Sequence, residues 1–328
     1  MGTTATVYST DLSSGDETAL LKYEEAAPAT HSQNYWEEMP PSVALSHSGT
    51  HLAYVAADGL YVFDREGTAT RLVISRRNAP SADAPSTWVP PIDEDTYSLH
   101  SPSWSADDRY ISFEMSHYEG STFGFYDLRE GAYFQQAGLP FSYADPSLGK
   151  MAWAVGNVGT IVPATHATTA GFYLSAIGDP GNAAYLNARI ATRMGDAVLS
   201  EDAGRIAFTF SDDDENDAHI LAVEARDGRL VHVVDRQGAK ISPAFDASGN
   251  VWWVEGSSLL RWDGTTTSAI GELTSGWRWK IQSVEGGTAV LLGTFSTRAR
   301  IVQIDTRSGE ERIRHDCATD FTTYLGLV

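Results

Sequence analysis

Residues 101–131 read SPSWSADDRYISFEMSHYEGSTFGFYDLREG, and this stretch decides the fold. Two runs in it, Tyr110 to Phe113 and Phe123 to Tyr126, are rich in aromatic residues. Each run is bounded by Asp, Gly or Ser residues, which favour tight turns. Short runs of this composition, separated by turns at close spacing, predict the strands of an antiparallel meander.

Copies of this unit recur at irregular spacing along the chain. Each copy reads as a strand, a turn, a strand, a longer hairpin, a strand, a turn and a strand. The six copies begin at Ser42, Ser101, Tyr143, Asp196, Ile241 and Ile281. Repeats of about 40 to 50 residues with four strands each are typical of β-propellers. We therefore predict an all-β protein, a β-propeller of four-stranded antiparallel blades, with residues 1–328 forming a single domain.

The two chain ends bear on the number of blades. The runs Thr6 to Asp11 and Ala19 to Tyr23 resemble the last two strands of a unit whose first two are missing. The C-terminal segment, residues 320–328, is able to supply those two strands, and a shared blade leaves no open sheet edge. This predicts a seven-bladed propeller closed by pairing N- and C-terminal strands in one blade. Six blades with additional terminal strands are the alternative.

Composition limits the partners and the compartment. The formal net charge is −20, from 43 acidic and 23 basic residues. The negative electrostatic field of such a chain repels phosphate backbones and anionic lipids, so we expect neither nucleic acid nor a membrane as partner. The N-terminal residues show no signal peptide, which predicts a cytoplasmic protein, and we expect a monomer. Only four of the basic residues are Lys, which favours a bacterial source with GC-rich coding.

Cysteine and metal chemistry are sparse in this sequence. The single Cys317 excludes an internal disulfide framework and offers no cysteine-based metal site. The acidic run at residues 211–217 has the oxygen ligands of a calcium loop, but Asp217 stands where such loops need glycine. A solvated hairpin tip is the better interpretation of that run. We predict no metal and no cofactor.

The Ser-Pro-x-Trp-Ser-x-Asp phrase that begins at Ser101 resembles the repeats of TolB-type and prolyl-oligopeptidase-family propellers. The copies that begin at Asp196 and Ile241 share this resemblance. It implies an architecture only, because such repeats recur under unrelated functions. The sequence contains no Gly-x-Ser-x-Gly nucleophile elbow, so the hydrolase domain of the peptidase family is not expected in this chain.

The N-terminal phrase His31-x-x-Asn34-Tyr35-Trp36 is similar to one found in the oligogalacturonate lyase family of seven-bladed propellers. The unit that starts at His100 also resembles a middle blade of that family. It has His117 and Glu119 in its middle hairpin, where the family has His-Glu-Gly.

This second resemblance implies metal-assisted elimination from uronates, but the metal ligands of the family do not transfer. The family uses a Gln and two closely spaced His near the C-terminus, with another His from an earlier blade. Here the matching region offers only His315.

In a four-stranded blade the innermost strand lines the axial channel. The connectors between blades share one face with the middle hairpin of each blade, and we call this the connector face. Its predicted residues are mainly aromatic, cationic or imidazole side chains. The candidate substrate-binding residues are His31, Asn34, Tyr35, Trp36, Arg76, Trp88, Glu119, His166, Trp277 and Trp279. Trp, Tyr and Arg suit stacking on sugar rings and pairing with carboxylates, so we expect a small-molecule, sugar or peptide ligand.

Two functions remain open. The first is an enzyme of lyase or isomerase type that acts by proton transfer. In it, His100 or His117 is the general base and Arg278 holds a substrate carboxylate or stabilises enolate-like charge. The second is a non-catalytic propeller scaffold that binds a ligand or a protein on the same face.

Several candidate residues also have a structural interpretation. Hydrogen bonding to backbone at a blade junction is the alternative for His31 and His100, and solvated surface is the alternative for Arg76. Packing between blades is the alternative for Trp277 and Trp279, which alternate by two residues.

Overall fold

The structure is a computed structural model, and all the regular elements among the residues that it describes are β-strands. It describes residues 4–10, 17–24, 43–46, 48–56, 58–66, 69–75, 98–105, 107–117, 120–137, 139–144, 150–155, 171–176, 179–185, 193–202, 204–211, 220–235, 238–295 and 298–318. Within these ranges there is no helix long and apolar enough to cross a membrane.

The described strands form one hairpin and six sheets. The terminal hairpin is β1 (Thr4–Thr10) and β2 (Glu17–Glu24). Sheet 1 is β3 (Val43–Leu45), β4 (His51–Ala56), β5 (Gly59–Asp64) and β6 (Thr70–Ser75). Sheet 2 is β7 (Ser98–Trp104), β8 (Tyr110–His117), β9 (Gly120–Asp127) and β10 (Ala132–Ala137). Sheet 3 is β11 (Leu139–Ala144), β12 (Lys150–Val155), β13 (Gly171–Ala176) and β14 (Asp179–Tyr185).

Three further sheets follow in chain order. Sheet 4 is β15 (Arg193–Leu199), β16 (Arg205–Ser211), β17 (Ile220–Ala225) and β18 (Leu230–Asp235). Sheet 5 is β19 (Lys240–Phe245), β20 (Val251–Glu255), β21 (Ser258–Trp262) and β22 (Thr267–Glu272). Sheet 6 is β23 (Arg278–Glu285), β24 (Thr288–Phe295), β25 (Arg298–Asp305) and β26 (Glu311–Ala318).

Each four-stranded sheet is a meander whose strand order follows the sequence, and the paired strands are antiparallel. Each of the six predicted copies corresponds to one of these sheets. The first strands of successive sheets are neighbours, as β15, β19 and β23 illustrate. The predictions of an all-β chain and of four-stranded antiparallel units are therefore confirmed.

The hydrophobic core lies between the sheets. The strands Leu52–Val55 and Val251–Val254 are buried at every residue, because both faces of such a sheet pack on a neighbour. One core cluster joins sheets 5 and 6 around Trp252 and Trp279. The terminal hairpin packs on sheet 1, where Tyr23 and Tyr54 have ring centroids 4.6 Å apart.

The Ser-Pro pair of the repeat coincides with a bulge in the first strand of a sheet. The register shifts between His100 and Ser103 in sheet 2, and between Ile241 and Ala244 in sheet 5. Ser101 and Ser242 take left-handed backbone conformations there, with φ values of 53° and 54°. The proline that follows has no N–H to lose from the ladder, which is why proline is tolerated at a bulge.

The Ser-x-Asp part of the repeat builds a turn. The Ser105 hydroxyl donates to Asp107 at 2.6 Å and accepts the Tyr110 N–H at 2.9 Å. Ser200 and Asp202 repeat the first of these bonds at 2.7 Å. These residues therefore carry information about the fold rather than about a ligand.

Candidate functional site

An aromatic–arginine cluster, formed by Trp277, Phe295, Arg298, Arg300 and Asp316, lies at the connector-face end of sheet 6. Trp277 precedes β23, Phe295 ends β24 and Arg298 begins β25, so the meander brings all three to the same end of the sheet. The rings of Trp277 and Phe295 are 5.9 Å apart, with an interplanar angle of 41°.

The two arginines of the cluster are held by one carboxylate. Arg300 donates through Nε and Nη2 to Oδ2 of Asp316, at 3.0 and 2.5 Å. Arg298 donates through Nη2 to Oδ1 of the same carboxylate at 2.6 Å. The hydrogen bonds from Arg300, and to a smaller extent those from Arg298, lower the pKa of Asp316 and keep it charged.

Both guanidinium groups lie over Trp277. The Cζ atom of Arg300 is 4.5 Å from the Trp277 ring centroid, and that of Arg298 is 5.9 Å from it. The cation–π contacts and the shared carboxylate together fix the two side chains.

The cluster presents an aromatic and a cationic group to solvent. Phe295 is 52% exposed, and the Arg298 side chain is 51% exposed, whereas the Arg300 side chain is only 14% exposed. The hydrogen bond to Asp316 uses one of the five N–H donors of Arg298, which leaves further donors for a ligand. A ligand with a flat ring that stacks on Phe295 and an anionic group that pairs with Arg298 fits this arrangement.

Trp279 has a packing role, which corrects its predicted role in substrate binding. It is 2% exposed and belongs to the core between sheets 5 and 6. Its indole N–H donates to the Thr274 carbonyl at 3.1 Å, and its ring covers the Cα of Gly293. Trp277 stacks at 5.9 Å from Trp279 and so rests on a buried support.

Arg278 is exposed at the first position of β23, at the same end of the sheet as the cluster. The sheet to which it belongs is cationic relative to the chain as a whole. Residues 278–318 contain seven Arg or Lys and five Asp or Glu, a net charge of +2 in a chain of −20. The role predicted for Arg278, binding a carboxylate, stays a prediction.

The two candidate general bases lie on adjacent strands of sheet 2. His100 of β7 is the register partner of Glu114 in β8, and His117 of β8 is the partner of Gly120 in β9. The backbone thus places His100 directly opposite a carboxylate-bearing residue. The side chains of both histidines lie outside the described part of the structure.

Most of the other predicted site residues lie outside the described residues, and their roles stay predictions. These residues are His31, Asn34, Tyr35, Trp36, Arg76, Trp88, Glu119 and His166. Most of the acidic run and the segment 320–328 also lie outside. Among the residues that are described, no group of three or more His, Cys, Asp or Glu is arranged to hold a metal ion.

Sequence reasoning missed Phe295, Arg298, Arg300 and Asp316. A signal for the first two was present, because Phe295 and Arg298 flank the middle hairpin of the sixth copy. The predicted site residue His117 lies at the same position in the second copy. Asp316 is distant in sequence from the hairpin, and only the pairing of β25 with β26 brings it opposite Arg300.

Comparison with solved structures finds propellers. The β-propeller domain of the Trilobed protease from Pyrococcus furiosus matches with a TM-score of 0.57 and 16% identity, over 96% of this chain and 88% of that one. The acylaminoacyl peptidase of Pyrococcus horikoshii matches with a TM-score of 0.56 and 15% identity, over 95% and 48% of the two chains. A prolyl endopeptidase matches with a TM-score of 0.54 and 13% identity, over 83% and 41%.

These similarities establish the fold and not the activity, because the identities are low. They confirm the resemblance to prolyl-oligopeptidase-type propellers at the level of the fold. The chain spans less than half the length of the two peptidases named last. No family model matches the sequence, and a search of curated proteins finds no significant match.

Proposed function

We propose that this chain is a ligand-binding β-propeller whose connector face takes a carboxylate-bearing small molecule, sugar or peptide. The observation that carries the proposal is the exposed pair Phe295 and Arg298, supported by Trp277 and Arg300 and tied by Asp316. Aromatic faces stack on sugar and planar rings, and arginine binds carboxylates in a bidentate manner.

The support beneath the exposed pair favours specific binding over a general surface attraction. A side chain that is already ordered loses less conformational entropy when a ligand binds. Here the Arg298 guanidinium is ordered by Asp316 before any ligand arrives.

Binding is tested by isothermal titration at constant ionic strength with two matched pairs of probes. The pairs are benzoate with benzamide, and galacturonate with its methyl ester. We expect the charged member of at least one pair to bind at least tenfold more tightly than its neutral partner. Phe295→Ala and Arg298→Gln should each weaken that binding tenfold or more.

Arg307→Gln is the matched control, because Arg307 is an exposed arginine in the turn at the other end of the same sheet. Its affinity should equal that of the wild type. Equal affinity in the wild type and in Phe295→Ala, or no saturable binding of either charged probe, would overturn the proposal.

A second candidate function is proton-transfer catalysis of lyase or isomerase type at the same face. The register of His100 opposite Glu114 supports it, because it places a candidate general base and a carboxylate-bearing residue on adjacent strands. In this version His100 or His117 removes a proton from carbon next to the carboxylate, and Arg278 stabilises the enolate-like charge. Proton transfer to a positioned base contributes about 10²–10⁴-fold in rate.

Catalysis is separated from binding by isotope exchange. A bound carboxylate with an acidic α-hydrogen should exchange that hydrogen in D₂O, and mass spectrometry of the recovered ligand measures the exchange. His100→Ala or His117→Ala should abolish exchange while leaving the affinity for the ligand within twofold. If a ligand binds but the protein does not catalyse exchange of its α-hydrogen, the binding function stands and the enzymatic function is excluded.

We also propose seven blades, closed by pairing of the terminal hairpin with residues 320–328. Six four-stranded sheets plus a two-stranded hairpin support that number. Deletion of residues 319–328 should lower the melting temperature by several degrees and speed proteolysis within β1 or β2. An unchanged melting temperature would favour six blades with additional terminal strands.

We further propose that residues 1–328 form a single domain and that the protein is monomeric and cytoplasmic.

A further inference from the structure

We propose a second ligand site, a phosphate-binding cleft between sheets 1 and 2 on the face opposite the connector face. The cleft has a volume of about 520 Å³, and its lining includes His51, Val62, Arg71, Arg109, Leu128 and Arg129. The proposal does not depend on the function proposed for the aromatic–arginine cluster.

The position of the cleft follows from the strand order. Arg109 follows the turn between β7 and β8, Arg129 lies in the turn between β9 and β10, and Arg71 is near the start of β6. In a meander these turns leave the sheet at the end opposite the middle hairpin. The two sheets are joined at the cleft, since the Ser48 N–H donates to Asp108 at 2.9 Å.

A buried carboxylate holds one wall of the cleft in place. Asp127 is 3% exposed and accepts the Nε and Nη2 donors of Arg109, the shortest at 2.6 Å. The same carboxylate accepts the backbone N–H of Arg129 at 2.9 Å. Asp127 therefore orients the Arg109 guanidinium and shapes the turn that carries Arg129. Arg109 still has three of its five N–H donors beyond these two bonds.

The acidic residues of the lining are engaged in the turn. Asp107 accepts the Ser105 hydroxyl at 2.6 Å and the Arg109 N–H at 3.1 Å. Asp108 accepts the bond from Ser48. Carboxylate oxygens that already accept such bonds compete less for the guanidinium groups.

Two of the basic residues, Arg129 and Arg71, are in contrast exposed to solvent. The Arg129 side chain is 77% exposed, and its ion pair with Glu130 is 3.9 Å long, a surface contact that contributes little. Arg71 is exposed and forms no ion pair with any other residue that the structure describes. The lining itself has three arginines and two aspartates, and Asp127 and Glu130 pair with Arg109 and Arg129 from beside it, which leaves Arg71 and the exposed Arg129 as the main cationic groups.

The geometry favours a tetrahedral oxyanion over a planar one. The three arginines of the lining come from three separate segments of two sheets, so their guanidinium groups are attached at different points around the cleft. A phosphate presents oxygens in three dimensions and accepts from several arginines at once, whereas a carboxylate presents two oxygens in one plane. Val62 and Leu128 add an apolar surface for the group that carries the phosphate.

The test uses the full chain and inorganic phosphate, with binding measured by isothermal titration at constant ionic strength. We expect saturable binding that Arg71→Gln and Arg129→Gln each weaken at least fivefold. Both side chains are exposed, so neither substitution threatens folding. Arg307→Gln and Phe295→Ala should leave phosphate binding unchanged, which separates this site from the connector face.

Three outcomes would overturn the proposal: no saturable phosphate binding, an unchanged affinity in both cleft variants, or an equal affinity for acetate. The last outcome would show attraction to charge without selection of a tetrahedral group. If the carboxylate probes do not bind while phosphate does, the proposed function is contradicted and the proposal of the phosphate-binding cleft stands.

Discussion

The carboxylate of Asp196 accepts the backbone N–H of Ser242 at 2.8 Å, and this bond joins the first strands of sheets 4 and 5. The Ser242 hydroxyl in turn accepts the Ile281 N–H of sheet 6 at 2.7 Å. All three residues lie at or beside a register shift, where the ladder leaves an N–H without a strand partner. The bulges of three successive sheets are thereby linked in series.

The first prediction concerns this link. Ser242→Ala removes the acceptor of a buried N–H, so the free energy of unfolding should fall by about 1–3 kcal/mol. Urea denaturation followed by Trp fluorescence measures the change. Ser248→Ala, an exposed turn position in the same sheet, should change stability by less than about 0.5 kcal/mol. Equal effects of the two substitutions would contradict a role for the link.

The second prediction concerns the support of the aromatic–arginine cluster. A Cβ at Gly293 would overlap the buried ring of Trp279, so Gly293→Ala must displace that ring. Overpacking of this kind should cost about 1–3 kcal/mol. Because Trp277 stacks on Trp279, the same substitution should also weaken carboxylate binding. Thr294→Ser, at the exposed neighbouring position, is the control and should alter neither property.

The repeat was readable from sequence because its signals are local. Ser105 and Asp107 form their turn within a few residues, and the strand that follows is buried from Tyr110 to Phe113. Ser200 and Asp202 repeat this turn in sheet 4, and the four-stranded unit itself occurs six times, so the unit and the propeller fold follow from the pattern.

The candidate site was less readable because it depends on pairs that are distant in sequence. Nothing near Arg298 indicates that Asp316, 18 residues later, binds it. Trp277 and Trp279 look alike in the sequence, yet one supports the exposed pair and the other is core. Sequence spacing therefore placed Trp277 and Trp279 at the end of sheet 6 where the candidate cluster lies, but it did not distinguish a partly exposed position from a buried one.

The third prediction concerns Asp127, which is buried against Arg109. Asp127→Ala removes the acceptor of four N–H donors, namely Nε and Nη2 of Arg109 and the backbone N–H groups of Arg129 and Glu130. We expect a loss of about 2–3 kcal/mol in the free energy of unfolding, less than for a fully buried pair because Arg109 is partly exposed. Phosphate binding in the cleft should weaken as well.

Asp227 provides the matched control for Asp127. It occupies the corresponding turn of sheet 4, but its side chain is 70% exposed and its ion pair with Arg229 is 3.9 Å long. Asp227→Ala should therefore cost less than about 1 kcal/mol by chemical denaturation. If both alanine variants lost the same stability, burial of Asp127 would not be the cause.

The fourth prediction concerns pH and the joint between sheets 4 and 5. His232 stacks on Trp262 at 4.5 Å with an interplanar angle of 4°, and its Nε2 is buried and has no hydrogen-bond partner among the residues that the structure describes. Burial lowers the pKa of His232, so the folded protein resists protonation of this ring. The unfolded chain, with an ordinary histidine pKa of about 6.5, takes up the proton more readily.

The sign of the effect on stability follows from this difference. The contribution of neutral His232 is fully present above about pH 6.5 and is lost as the pH falls toward the lower pKa of the folded state. Between pH 7.5 and pH 5.5 the wild type should lose more stability than His232→Phe, measured by urea denaturation at both pH values. His232→Gln is neutral at both pH values and should show the same reduced pH dependence, whatever its absolute stability. An identical pH dependence in the wild type and both variants would exclude His232 as the titrating group.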